Sequence, residues 1–175
     1  GDKPVHLGAT NLQELIPPQG GNSVVEVMQN NIDAVLAQRK RTGVPMVPHV
    51  NHPNFVWGVS AEELAQVDGE QFFEVYNGHP GVWNRGDEQH PSTDRIWDLV
   101  LTKRLRELNK PLMYGTATDD AHEYLKVQPG MANPGQGWVM VRAEALTPEA
   151  LIHAMEHGDF YATTGVVLSD VRWDG

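Results

Sequence analysis

Eight histidines and no cysteine bound the chemistry open to this chain of 175 residues. Without thiols, disulfides, thiolate catalysis and Cys-based zinc or iron–sulfur sites are excluded, so any metal must sit on imidazole and carboxylate. His49 and His52 follow a β-like run that ends at Pro48, His79 follows one that ends at Tyr76, and Asp120 and His122 follow one that ends near Ala117. Three successive strand ends thus deliver donor groups, and in parallel α/β architectures such ends share one rim, where sites are built. Imidazole nitrogen with carboxylate oxygen is a ligand set for Zn²⁺, Mn²⁺ or Fe²⁺, ions that hold a hydroxide nucleophile near neutral pH and clamp an oxyanion. The pattern points to metal-assisted hydrolysis.

A lone histidine in a loop is usually a turn or surface residue, so the joint placement of His52, His79 and His122 carries the reading. Asp119 and Asp120 also suit a turn, because Asp favours such places, but Asp-Ala-His directly after a strand leans functional. His6 follows a single β-like residue near the start of the chain and is expected to be structural, and His90 is expected at the entry to a helix. His153-Ala-Met-Glu156-His157 matches the inverted zinc-protease pattern H-x-x-E-H. Only 18 residues follow His157, however, and Ala150, Leu151, Ala154 and Met155 form the expected buried stripe, which turns both histidines to the wetter face. The glycine-rich loop Gly130-Met-Ala-Asn-Pro-Gly-Gln-Gly137 lacks the Lys-Ser/Thr ending of a phosphate loop.

The elements that must position these residues alternate along the chain. Ser23 with Glu26 has capping-box spacing and opens an amphipathic helix to Thr42, with Met28, Ile32, Val35 and Leu36 on one face and Gly43 at its end. Val44–Pro48 reads as a strand twice interrupted by proline, which suits an edge or an irregular barrel wall. Ser60 and Glu63 open a short helix to about Val67, and Phe72–Tyr76 is a half-buried strand. A third helix over Ser92–Asn109 is expected to bury Trp97, Leu101, Leu105 and Leu108, with Pro111 as its stop. Leu112–Ala117 and Trp138–Arg142 follow as strands. Thr147-Pro148 starts a helix that Gly158 closes, and Phe160–Ala162 and Val166–Arg172 are expected as the last strands. Helices alternating with short strands give an α/β class with mainly parallel pairing, and residues 1–175 read as a single domain.

Apolar residues make up 40% of the chain and charged residues 21%, an ordinary globular balance. No run approaches the roughly 18 apolar residues of a membrane span. With 13 basic residues against 23 acidic ones the formal charge is −10, which repels polyanions, so neither nucleic acid nor membrane is an expected partner. The opening Gly1-Asp2-Lys3 lacks a methionine and is compatible with a removed leader, so localisation stays open.

At these same residues the chain resembles the PHP family, the polymerase and histidinol phosphatase metal-dependent phosphoesterases. The matching pieces are His52-Pro53-Asn54, Glu74-Val75-Tyr76-Asn77-Gly78-His79 and Gly115-Thr-Ala-Thr-Asp-Asp-Ala-His122. The tail adds Gly137-Trp-Val-Met-Val, Leu146-Thr-Pro-Glu-Ala-Leu151 and Gly158-Asp-Phe-Tyr-Ala-Thr-Thr-Gly165. The resemblance runs from about Val44 onward. It implies a distorted (β/α)7, TIM-like barrel with two or three divalent ions (Zn, Mn or Fe) at the carboxyl ends of its strands, hydrolysing phosphate esters. Carried over, it implies metal ligation by His52, His79, Asp120 and His122, with His49, Asn77 and Asp119 as supporting residues behind them. It names no general acid. The family's opening His-x-His and its middle His and Glu ligands have no match upstream, so the chain looks like a carboxy-terminal half holding four of about nine ligands. That implies a partial barrel and a small phosphorylated substrate, and three explanations stand open: a truncated reading frame, a domain excised from a longer chain, or a homo-oligomer in which two copies cover each other's open edges. The alternative is a non-catalytic truncated barrel module that binds a ligand or partner.

Overall fold

Four strands form the main sheet in the order β1 (Leu7–Thr10), β2 (Val47–Val50), β3 (Phe72–Asn77), β4 (Tyr114–Thr118). β1 is antiparallel to β2, while β2, β3 and β4 are parallel. The computed structural model describes residues 4–172, so the opening Gly1-Asp2-Lys3 lies outside them. Helices α1 (Val24–Thr42), α2 (Ala61–Gln66) and α3 (Thr93–Lys103) connect and cover the parallel strands. β5 (Trp138–Val141) and β6 (Phe160–Thr163) make a separate antiparallel pair flanking α4 (Pro148–Glu156). The class is mixed α/β with a parallel-strand sheet, and among the described residues no closed barrel forms.

Alternation along β3 divides two cores. Phe73 packs with Met28 and Ile32 of α1, Leu64 and Ala65 of α2 and Ile96 and Val100 of α3 on one face. Phe72, on the other face, joins Val47 and Ile152, with Tyr114, Met155 and Phe160 around them, so α4 and the β5–β6 pair cover the opposite side. The ion pair of Arg39, at the end of α1, with Glu156 of α4 links the two layers. Among the described residues no helix is long and apolar enough to cross a membrane.

The helix starts form where the capping residues place them. Ser23 accepts from the Glu26 N–H, Ser60 and Glu63 complete a reciprocal capping box, and Thr147 caps α4 with Pro148 inside its first turn. Several boundaries depart from expectation. β2 begins at Val47, because Pro45 cannot donate to a ladder, and it meets β3 only through Val50 and Phe73. β1 forms before α1, pairing Gly8 with His49 and Ala9 with Pro48. The third helix gives way at Arg104 to a π turn over Arg104–Leu108. The buried row of α3 is Ile96, Val100 and Arg104 at α-helical spacing, with Trp97 and Leu101 only partly buried beside it, and beyond the π turn Leu105 and Leu108 are exposed. Val166–Arg172 is not a strand, since the Thr163 hydroxyl accepts from the N–H groups of Gly165 (3.1 Å) and Val166 (2.8 Å) and turns the chain out of β6.

Arg104 is fully buried and donates to the carbonyls of Pro111 (2.7 Å), Val67 (2.8 Å) and Ala65 (3.4 Å). Nearby Glu70 is also fully buried. Its Oε1 accepts from the Phe72 N–H at 2.5 Å, and its Oε2 has no hydrogen-bond partner. Burial pushes the Glu70 carboxyl well above its ordinary range, against the opposing pull of the Phe72 and Gln71 N–H groups and of the Arg104 charge. The folded state therefore holds a proton that the unfolded chain releases. This contribution is full below the ordinary carboxylate range and declines as pH rises above it. In urea denaturation between pH 4 and 9, Glu70→Gln is expected to flatten that decline and to be at least as stable as wild type at pH 8; an unchanged slope refutes the assignment. Arg104→Met is expected to cost about 3 kcal/mol by leaving buried carbonyls unpaired.

Candidate functional site

A buried carboxylate ties the carboxyl ends of the three parallel strands. Glu74 on β3 is 3% exposed, and its Oε2 accepts from the backbone N–H of His52 (2.8 Å), just past β2, and from Nδ2 of Asn77 (2.8 Å). The same Asn77 amide lies 3.2 Å from Asp120 Oδ2, beyond β4, while Asn77 Oδ1 accepts from the His79 N–H at 2.8 Å. One amide thus bridges two carboxylates and orients the loop that carries a third strand-end residue. The sequence expectation for Asn77 is a supporting residue; the structure shows it hydrogen-bonded to Glu74, Asp120 and the His79 backbone.

On this base the imidazoles form a row. His6 Nδ1 stands 3.3 Å from His52 Nε2, which is 3.8 Å from Asp120 Oδ2. Asp120 Oδ1 in turn stands 3.2 Å from His122 Nε2, and the His122 ring meets the His79 ring edge to face at 5.1 Å between centroids. His52 is buried, His79 and Asp120 are half-buried, and His6 and His122 are exposed, so the row opens to solvent. The fold therefore brings His52, His79, Asp120 and His122 together from three strand ends. Among the described residues, no group of three His, Asp or Glu side chains closes into a metal-holding cluster.

His6 is the residue that the sequence reading set aside. It precedes β1, whose antiparallel pairing with β2 places it beside His52, and Phe55 packs on both rings. The signal was the short run Val5–Ala9, too brief to read as a strand. Asp120 adopts φ 47°, a left-handed conformation that Asp, like Asn, enters more readily than other non-glycine residues. Burial raises its carboxyl, but hydrogen bonds from Asn77 and His122, with the charges of His52 and His122, outweigh this and hold it below its ordinary range.

Asp119 and His49 make contacts of different kinds. Asp119 accepts from the Gly135 N–H at 2.6 Å and closes the glycine-rich loop toward the rim. That loop is organised by Asn133, 3% exposed, whose side chain bonds to the backbone of Gln128, Glu123 and Lys126, while His122 and Glu123 both donate to the Ala132 carbonyl. His49 lies outside the row. Its Nδ1 meets Asn51 Oδ1 at 3.0 Å, and that oxygen also accepts from the Gly8 N–H, so Nδ1 carries the proton. Desolvation lowers the His49 pKa despite the opposing Glu74 charge and the Asn51 hydrogen bond. It lines a cavity of about 740 Å³ together with Thr116, Thr118 and Ile152. His90 pairs with Asp87 and stacks on Trp57 at 4.0 Å, and the exposed His153 and His157 sit beside a Glu156 already held by Arg39.

No family model matches the chain, no curated protein matches it, and no solved structure matches it.

The Asn77 bridge gives a direct test. Asn77→Asp places a third carboxylate against Glu74 and Asp120 and is expected to lose about 3 kcal/mol or more at pH 7, beyond the loss in Asn77→Ala. The gap between the two variants should narrow at pH 4, where carboxylates take up protons and the repulsion falls. Equal stabilities at pH 7 would show that the amide does not separate the two acids.

Proposed function

We propose that this chain is part of a metal-dependent hydrolase of the PHP phosphoesterase type, acting on phosphate esters. The observation that carries the reading is the approach of His6 Nδ1 to within 3.3 Å of His52 Nε2, with Asp120 Oδ2 3.8 Å from the same nitrogen. A tetrahedral shell with metal–nitrogen bonds of about 2.0–2.1 Å separates its ligand atoms by about 3.3–3.4 Å. The nitrogen pair fits that spacing, and the donor set suits Zn, Mn or Fe. His6, His52, Asp120 and His122 are the residues that would hold an ion. A bound ion would supply Lewis acidity toward a phosphoryl oxygen and an activated water.

The chain's own residues set up that chemistry. Glu74 fixes the His52 backbone and Asn77 turns Asp120 toward the histidines, so the donor groups are positioned before anything binds. Asp120 stays ionised because its pKa is lowered, which suits a ligand. The finer fold reading, a partial (β/α)7 barrel of PHP type, is supported by parallel strands with helical connections and donors at their carboxyl ends. A second copy that covers the open edges of the sheet belongs to the same reading.

The alternative, a non-catalytic module on this scaffold, is favoured by the incomplete clustering of donor groups among the described residues. Elemental analysis after purification without chelator separates the two. The hydrolase reading expects bound Zn, Mn or Fe, its loss in His6→Ala and His52→Ala, and turnover of a phosphomonoester panel above an amide panel. Metal-free wild-type protein without phosphoesterase activity on added Mn²⁺ overturns it. Sedimentation should show a dimer or larger species, and a stable monomer would remove the second copy from the proposal.

A further inference from the structure

His79 was expected to ligate metal together with His52, Asp120 and His122, yet its hydrogen bonds differ in kind from those of a ligand. The backbone N–H of Gly81 donates to His79 Nδ1 at 3.0 Å. A peptide N–H can only donate, so Nδ1 must present its lone pair, and in the neutral ring the proton then sits on Nε2. A histidine that binds metal through Nε2 has the opposite arrangement, with Nδ1–H donating to a carbonyl or carboxylate. His49, whose Nδ1–H donates to Asn51 Oδ1, shows that opposite arrangement within the same molecule.

The loop builds this orientation in. Asn77 Oδ1 accepts the His79 N–H, and the His79 carbonyl accepts from the Val82 N–H at 3.0 Å, so the backbone is fixed on both sides of the ring. At position 81 a Cβ would stand 3.1 Å from Nδ1, tight enough that glycine eases the approach of its N–H. His79 is half-buried, and its ring abuts His122 at the solvent-facing end of the row. Its Nε2 makes none of the hydrogen bonds found among the described residues, which leaves an N–H donor on a ring that abuts His122, one of the residues proposed to hold an ion.

We propose that His79 binds substrate rather than metal, donating a hydrogen bond from Nε2–H to an anionic oxygen of the phosphoryl group. This rests on the hydrolase reading above and divides its histidines by role: His6, His52 and His122 toward the ion, His79 toward the substrate.

Three measurements on the full chain test it. Long-range ¹H–¹⁵N NMR of metal-free wild type should show His79 protonated at Nε2 and bare at Nδ1. His79→Ala should keep the Mn²⁺ content of wild type. Inorganic phosphate should bind the Mn²⁺-loaded His79→Ala protein about tenfold to a hundredfold more weakly than wild type, as expected for a lost hydrogen bond to a charged group. His79→Gln, whose amide N–H reaches the Nε2 position, should recover most of that affinity. A proton on Nδ1, loss of Mn²⁺ in His79→Ala, unchanged phosphate affinity, or no rescue by glutamine overturns the assignment. Wild type that takes up no Mn²⁺ overturns the hydrolase reading itself, an outcome separate from loss of Mn²⁺ in the variant alone.

Discussion

The arrangement of this molecule depends on one carboxylate that water hardly reaches. Glu74 sits on the central parallel strand, and its Oε2 gathers the His52 N–H from one neighbouring strand end and, through Asn77, Asp120 from the other. Parallel strands are not joined by tight turns, so nothing local keeps their ends in step. A buried acceptor with two donors does so, because leaving any of the three unpaired costs about 1–3 kcal/mol. The imidazole row inherits its spacing from this tie.

Around it, rigidity is distributed unevenly. The outer layer of α1, α2 and α3 makes a large apolar core, whereas the inner layer rests on a small cluster around Val47, Phe72 and Ile152. The rim above carries the unfavourable conformations. Val56 and Trp57 both have positive φ, and a β-branched residue at φ 45° is an outlier. Such residues cost about 1–3 kcal/mol each and persist where surrounding contacts over-determine them. Here Asn54 holds the first loop by donating to the carbonyls of Trp83 and Pro91, and Asn133 holds the last. Asparagine serves repeatedly because its amide can donate and accept at once, joining backbone segments that have no ladder between them.

Much of this was legible in the sequence. The caps at Ser23, Ser60 and Thr147, the alternation in Phe72–Tyr76 and the clustering of His and Asp after three strands follow from local rules, and the fold gathers those residues on one rim. What escaped depended on long-range partners. β1 is four residues long and exists because β2 offers it an edge, so His6 had no visible context. The third helix buries the row one residue earlier, Ile96, Val100 and Arg104, because Arg104 finds backbone carbonyls of distant segments to receive its donors, and hydrophobic periodicity does not count an arginine as core. The order of the loop beyond Asp120 resides in one buried amide, invisible to composition.

The pairing of β1 with β2 has a further consequence at Gly8. A Cβ there would lie 2.0 Å from Cε1 of His49, so the imidazole fills the volume that any other side chain at position 8 would need. The two positions are coupled: a larger residue at 8 requires the His49 ring to leave its place on Asn51 or a smaller side chain to stand at 49. Descent would therefore leave its mark as a coupled pair 41 positions apart, a signature that can survive after overall similarity between chains has faded.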